Sequence, residues 1–219
     1  MSKLGKGMLC AALLAPGAAM AEGGKGYIDA YFAPQSDMKV TIDDPTFGSG
    51  SASGDGTPVG IRGFIPMSPG MALTAEYDTG SYDFGSSGGG NLDVDQLRFG
   101  LGFTGPSTSG LFLEYNTVNL DNSKADGFAL HGRLASDPTQ QAQFYADLGY
   151  AKLTDDSDAD FKGFEFTIGG SYGFTPTAGL LLEYRSTKLK STYDNGPGNP
   201  DSSLEFEISG IRVGGRIRF

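Results

Sequence analysis

The chain has 219 residues and a formal net charge of −10, with 35 Gly, one Cys and no Trp. Its length predicts a single domain, because all-β barrels and sandwiches commonly contain about 200–250 residues. Outside the N-terminus no apolar run approaches the ~20 residues that a membrane-spanning helix needs. The acidic balance argues against a nucleic-acid-binding protein, since such proteins are basic.

The first 21 residues have the features of a secretory signal peptide. Lys3 and Lys6 precede the apolar stretch 7–15, and the small-residue site Ala19-Met20-Ala21 follows it. We therefore predict cleavage after Ala21. Removal of the two lysines changes the formal charge from −10 to −12.

The predicted mature chain, residues 22–219, is one domain without cysteine, because Cys10 leaves with the signal peptide. A lipoprotein anchor at Cys10 is disfavoured, since Met8 and Leu9 stand where lipoprotein signals carry small residues. Without disulfides, a secreted domain needs a large core or a membrane for its stability.

From residue 26 to the C-terminus, apolar residues alternate with polar or small ones in short segments that turn residues separate. A period of two is typical of strands with one apolar face. The clearest example alternates Leu97, Phe99 and Leu101 with Arg98 and Gly100. The ten predicted strands cover residues 26–33, 58–65, 71–79, 94–103, 111–116, 128–134, 144–150, 164–172, 180–185 and 211–219.

The connectors between these strands alternate in character. Short ones rich in Pro, Gly and Thr cover residues 66–70, 104–110, 136–140 and 175–179. Mostly longer ones rich in Asp, Asn, Ser and Gly lie near 34–57, 80–93, 120–126, 154–160 and 190–203. Short turns at one rim and long loops at the other are typical of an up-and-down transmembrane β-barrel with both termini in the periplasm. Eight strands stay as the alternative to ten, because the first two segments are the weakest.

The chain ends in Ile211-Arg-Val-Gly-Gly-Arg-Ile-Arg-Phe219, where Ile211, Val213, Ile217 and Phe219 alternate with polar or small residues. This segment resembles the C-terminal targeting strand of Gram-negative outer-membrane β-barrels, and the layout of the mature chain is similar to small OmpA-like barrels. The resemblance implies a place in the cell outer membrane, among its lipid and lipopolysaccharide, and insertion by the barrel assembly machinery. Tyr and Phe must form the aromatic girdles, since Trp is absent.

In such a barrel the apolar faces meet lipid and the opposite faces fill the lumen. Acids lie mainly on one set of strands and arginines on the alternate set, which predicts ion pairs between neighbouring strands. We expect these pairs to plug the narrow interior, and a path for small solutes is the alternative. The predicted network contains Asp29, Arg62, Glu76, Arg98, Glu114, His131, Arg133, Asp147, Glu165, Glu183, Arg185, Arg212 and Arg216.

Catalytic and metal-binding patterns are weak. An omptin-like protease needs a His–Asp pair, for which His131 and Asp147 on the next strand are the candidates, and paired aspartates at the outer rim. A lipid A deacylase-like site needs Ser two positions after the His, where this chain has Arg133. The acidic loop 154–160 lacks the Gly that an EF-hand loop needs, and we expect it to be solvated. The sequence predicts no enzyme, cofactor or metal site.

The first functional hypothesis is therefore a monomeric structural or surface-interaction barrel that acts through its outer loops on an unidentified extracellular ligand. The second is a porin-like passive channel for small solutes. The third is an outer-membrane protease or lipid-modifying enzyme.

Overall fold

The computed structural model describes residues 26–68, 70–85, 89–105, 107–121, 123–193, 195 and 201–219. The predicted signal peptide, with Ala19 and Ala21, lies outside these residues. No helix in the described ranges is long and apolar enough to cross a membrane. The strands are β1 (Tyr27–Asp44), β2 (Gly48–Gly56), β3 (Val59–Ser68), β4 (Met71–Asp83), β5 (Asn91–Thr104), β6 (Gly110–Leu120), β7 (Ser123–Ala135), β8 (Ala142–Asp155), β9 (Asp160–Gly173), β10 (Ala178–Tyr193) and β11 (Ser202–Arg218).

The strands form one antiparallel sheet that closes on itself. From β4 to β11 each strand pairs with the next, and β11 pairs back with β1. Beyond the last ladder pair, the Gly26 N–H donates to the Phe219 carbonyl at 3.1 Å. Closure leaves no free sheet edge in lipid, where unpaired backbone groups are costly. The prediction of an all-β up-and-down barrel is confirmed.

One position in the wall is shared by β2 and β3. The distal half of β1 pairs with β2 from Ser36–Gly56 onward, and its first half pairs with β3 up to Phe32–Val59. Between these pairs β1 holds one extra residue, and Pro58, which has no N–H to donate, lies opposite this bulge. The barrel therefore has ten positions, as predicted, and one of its strands is interrupted.

The strands extend well beyond their predicted ends: most of the predicted loop 34–57 is part of the wall, and residues 190–193 and 202–203 of the predicted loop 190–203 lie in β10 and β11. Residues 34–57 form a hairpin of β1 and β2 that turns at 45–47. Asp, Ser and Gly indicated a loop, but the period of two continues through β1 and β11, with Met38 and Ile208 on the inward side. Composition alone was a poor guide because one face of these segments meets water.

Large apolar side chains cover the outside of the barrel on the half nearer the termini. On β9 these are Phe164, Phe166, Ile168 and Tyr172, with Phe174 just after the strand, all exposed. The ten residue steps from Phe164 to Phe174 rise about 25 Å in a strand tilted by ~40°, which matches an outer-membrane hydrocarbon band. We call this zone the lipid-facing band.

Aromatic side chains lie at both boundaries of the lipid-facing band. Phe103, Phe144 and Phe174 are exposed near the rim that holds the termini. At the opposite boundary Tyr150 packs edge-on against Phe164, with ring centroids 5.3 Å apart. Tyr and Phe thus supply the girdles in the absence of Trp.

Substitutions at two adjacent glycines of β11 test the packing at the β1–β11 seam, where the sheet closes. A Cβ at Gly214 would overlap the Ala30 carbonyl oxygen and lie 2.7 Å from the Tyr31 Cβ, whereas at Gly215 the nearest such atom is 4.0 Å away. We expect Gly214→Ala to lower the folded fraction strongly, because the seam must shift, and Gly215→Ala to fold normally. The check is heat-modifiable gel migration, and equal folded fractions for the two variants would contradict it.

Candidate functional site

The inward side of the wall changes its chemistry along the barrel axis. Within the lipid-facing band the inward residues of β5 are polar, with Arg98 buried and Gln96 next to it on the same face. Toward the start of β5, which is the end farther from the chain termini, the same face carries Val94 and Leu92. The other strands show the same change. We call the charged layer the plug and the apolar layer beyond it the collar.

The plug consists of inward-facing acids and arginines, together with His131. Among the described residues it holds seven carboxylates and seven guanidinium groups, and its formal charge is zero when His131 is neutral. The acids are Asp29, Glu76, Asp78, Glu114, Asp147, Glu165 and Glu183, and the arginines are Arg62, Arg98, Arg133, Arg185, Arg212, Arg216 and Arg218.

Some ion pairs join adjacent strands, as the alternation of charge predicts. Asp29 lies 2.7 Å from Arg216 across the seam and 2.9 Å from Arg62 on β3. Arg133 on β7 lies 3.0 Å from Asp147 on β8. These pairs hold the guanidinium groups against the wall.

Other ion pairs cross the lumen, which the sequence did not predict. Arg98 on β5 reaches Glu165 on β9, where a second contact measures 3.2 Å. Arg62 on β3 lies 2.8 Å from Glu183 on β10. Glu76 on β4 accepts from Arg185 and Arg212, each at 2.8 Å. Pairs between opposite walls fill the barrel interior.

Tyrosines occupy much of the remaining space in the plug. The Arg216 guanidinium lies 3.7 Å from the Tyr27 ring centroid, and that of Arg212 lies 4.6 Å from the Tyr31 ring centroid. Tyr145 donates to Glu183 at 2.5 Å. A cavity of about 50 Å³ beside these groups has room for a few water molecules. The plug is therefore densely filled.

The predicted pairing of His131 with Asp147 is wrong. The Nε2 of His131 lies 3.0 Å from Glu165 and 3.5 Å from Glu114, and Asp147 faces Arg133 instead. The register places Gly149, not an acid, directly opposite His131. His131 is thus a member of the plug.

The predicted network omitted Asp78. Asp78 lies on the same face of β4 as Glu76, and its carboxylate is 3.0 Å from Arg212 and 2.6 Å from the Tyr31 hydroxyl. The period of two is the signal that identifies it, because Asp78 comes two residues after Glu76. It also forms part of the floor of the collar.

Above this floor the collar encloses a cavity of about 510 Å³. Polar groups lie at its two ends, with Arg185 and Arg212 in the floor and Asp121, Lys124 and Asp155 toward the distal rim. Its apolar lining residues are Met38, Leu92, Val94, Val118, Leu120, Leu153, Phe161, Leu189, Leu204, Phe206 and Ile208. The sequence interpretation missed this cavity because it ended most strands too early: it placed Met38, Leu92 and Leu120 in loops and left most of the other lining residues outside the predicted strands.

The outward side of the collar is polar, which is the reverse of the lipid-facing band. Lys39, Lys188 and Glu207 face outward beside the inward-facing Met38, Leu189 and Phe206. A wall that is apolar inside and charged outside is typical of a structure surrounded by water. The collar therefore extends beyond the membrane.

The acidic segment 154–160 forms a tight turn at the distal rim. Asp155 accepts from the Ser157 hydroxyl at 2.7 Å and from the Ser157 and Ala159 N–H groups, each at 2.9 Å, and these bonds hold its pKa below the usual range. Within the described ranges, no three His, Cys, Asp or Glu side chains form a group that fits a metal ion.

Solved structures with a similar fold are outer-membrane β-barrel proteins. The outer membrane protease OmpT from Escherichia coli matches at TM-score 0.57 and 9% identity, over 89% of this chain and 96% of that chain. OprG from Pseudomonas aeruginosa matches at TM-score 0.40 and 12% identity, over 91% and 97%. No protein-family model and no curated protein match the sequence. The chain thus shares the closed-barrel fold of an outer-membrane protein, and the likeness to OmpT concerns that fold alone.

A single substitution tests the energetic role of the plug. Glu165→Gln leaves Arg98 buried without its carboxylate, and we expect it to lower the free energy of unfolding by about 3–5 kcal/mol. The matched control is Glu205→Gln, which breaks a pair with the exposed Lys188 and should cost less than about 1 kcal/mol. Urea unfolding in lipid bilayers measures both values, and a small loss for Glu165→Gln would contradict this role.

Proposed function

We propose that this protein is an outer-membrane barrel that binds an apolar small molecule in its collar, from the extracellular side, above a closed lumen. The main support for this proposal is that the apolar side chains change from the outer to the inner side of the wall along the barrel axis. The strands that expose apolar residues to lipid turn apolar residues inward beyond it, and so build a cavity of about 510 Å³.

The orientation follows from the two rims. The rim that holds Gly26 and Phe219 also holds the short connections from Thr104 to Gly110 and from Gly173 to Ala178. Short turns and chain termini belong to the periplasmic side of outer-membrane barrels. The collar then projects outward, where it meets molecules before they reach the membrane.

The cavity has the size and chemistry of a small-molecule site. Its volume of about 510 Å³ lies within the range of roughly 300–1,000 Å³ that is typical of ligand pockets. Its side walls are mainly aliphatic and aromatic, and water in such a space finds few hydrogen-bond partners. An apolar ligand that displaces water from between these side walls gains the free energy of burying apolar surface.

The plug supports a closed lumen over a passive channel. Its carboxylates and guanidinium groups balance, and pairs such as Arg98–Glu165 connect opposite walls. We also propose a non-enzymatic role, because His131 lies between two plug carboxylates and is not paired with a nucleophile or an Asp. This keeps the sequence-based hypothesis of surface interaction but moves the binding site from the loops into the collar. We propose further that the protein is a monomer and that the barrel assembly machinery inserts it into the membrane.

The absence of Trp from the chain makes a site-specific binding assay possible. In lipid nanodiscs, Leu189→Trp places a fluorophore in the collar and Leu182→Trp places one in the lipid-facing band. A brominated apolar probe should quench the collar Trp saturably, because the cavity is a finite site. It should quench the band Trp in proportion to its concentration in the lipid. Linear quenching at both positions would refute the proposal.

A blocking variant makes this assay specific. Ala125 lines the cavity, so Ala125→Phe fills part of it and should abolish saturable quenching of the collar Trp. Asn119→Phe adds the same ring on the outward side of β6, between two cavity-lining residues, and should leave the saturable quenching unchanged. Equal effects of the two variants would count against the collar as the site.

Planar-bilayer conductance tests whether the lumen is closed. We expect no discrete openings for the wild-type protein. The double variant Arg98→Ala/Glu165→Ala removes both partners of a pair that crosses the lumen and leaves neither of the two charges unpaired. It should show discrete openings, and wild-type openings of similar size would favour the channel hypothesis.

A further inference from the structure

Arginine and lysine occupy different parts of this barrel. Every arginine of the chain faces the lumen. The six described lysines all lie on the collar and point to its outside or to its rim. Arg suits buried, multidentate pairs, whereas Lys is a strongly hydrated point charge. The separation of the two residue types indicates that the lysines on the outer surface of the collar have a different electrostatic role from the arginines of the plug.

Five of the six described lysines lie on one side of the collar, on strands β1 and β8–β10: Lys39, Lys152, Lys162, Lys188 and Lys190. Three of them form a row across adjacent strands. In the register Lys152 is opposite Lys162, and Lys162 is opposite Lys190. Like charges directly opposite one another destabilise a sheet. We call these three residues the lysine row.

The carboxylates of the chain neutralise the lysine row only in part. Asp160 lies 2.8 Å from Lys152 and 3.4 Å from Lys162. The bond from Lys152, with the Thr154 hydroxyl, lowers the pKa of Asp160 to about 2. Asp160 is therefore charged at neutral pH, yet one carboxylate serves two ammonium groups.

Lys190 has no ion pair within the described part of the chain, and it is exposed. Glu205 is opposite it in the register, but that carboxylate lies 2.7 Å from Lys188. Glu207, two residues farther along β11, is opposite Lys188 on β10 and opposite Lys39 on β1. The outward face of β1 and β8–β11 thus carries five lysines and five carboxylates, which are Asp37, Asp43, Asp160, Glu205 and Glu207. Within the described residues, Asp160 is the one carboxylate that forms ion pairs with the lysine row.

The height of the lysine row on the barrel points to its ligand. Lys152 and Lys162 are each two residues beyond Tyr150 and Phe164, the edge-on aromatic pair at the distal boundary of the lipid-facing band. Two residues of a tilted strand rise about 5 Å. The ammonium groups therefore lie at the level of the lipid headgroups in the outer leaflet.

We propose that Lys152, Lys162 and Lys190 bind the phosphate groups of a phosphorylated lipid in the outer leaflet. Phosphate is the anionic group that lipids present at this height, and lysine ammonium groups bind it as point charges. Such a ligand removes the repulsion between the three lysines. The proposal is independent of the collar cavity, which lies on the other side of the wall.

The test measures lipid retention in nanodiscs of phosphatidylcholine that contain a small fraction of diphosphorylated lipid A. Native mass spectrometry counts the lipid A molecules that stay bound to the released protein. The triple variant Lys152→Gln/Lys162→Gln/Lys190→Gln should lower the apparent affinity at least about tenfold. Lys124→Gln, a collar lysine outside the row that pairs with Asp126, should leave the affinity unchanged.

Three results would overturn the proposal: equal retention by the triple variant, equal retention of dephosphorylated lipid A, or displacement of the lipid by an equal concentration of inorganic phosphate. The last result would identify a site for free phosphate. The single variant Lys190→Gln controls for misfolding of the triple variant, because it removes a charge that has no ion pair within the described residues. It should fold fully and still lower the affinity by about threefold, and unchanged affinity would contradict the proposal.

Discussion

The structure depends on one constraint, which is that backbone hydrogen bonds inside a bilayer must be satisfied by the protein itself. The pairing of β1 with β11 meets this constraint by closing the sheet. Closure then gives every strand one inward and one outward face with a period of two. Each face must suit the medium it meets, and the outer medium changes from lipid to water along the axis. The exchange of apolar and polar faces between the band and the collar follows from that change.

Within the lipid-facing band the closed lumen is the one place for polar side chains. The barrel is narrow enough for Arg98 to reach Glu165 and for Glu76 to accept from two arginines of the opposite wall. A buried charge is costly unless it is paired, and each arginine deep in the plug therefore has a carboxylate or an aromatic ring beside it. The same contacts that satisfy these charges also fill the lumen, so that stability and closure have a common origin.

Beyond the band, water surrounds the wall and the plug is no longer required. The inward face becomes apolar and encloses a cavity, while the outward face carries the lysines. The cavity and the lysine row lie on opposite sides of the same strands. One is suited to an apolar molecule from outside the cell, and the other to the headgroups of the surrounding leaflet. The collar thus joins two binding surfaces of different chemistry without any change in the fold.

Alternation along the chain was enough to predict ten strand positions, the inward direction of residues such as Arg62 and Glu183, and the lipid-facing residues, because the side-chain direction in a strand is a local property. It also contained Asp78 and Val94, which lie in predicted strands but were not assigned to the plug or to a cavity, and Ile208, which lay outside the predicted strands. The alternation could not predict which ion-pair partner each charged side chain has. Whether Arg98 meets a neighbouring acid or Glu165 depends on register, strand tilt and lumen width. Those quantities, the interrupted β2–β3 wall and the cavity exist only once the sheet has closed.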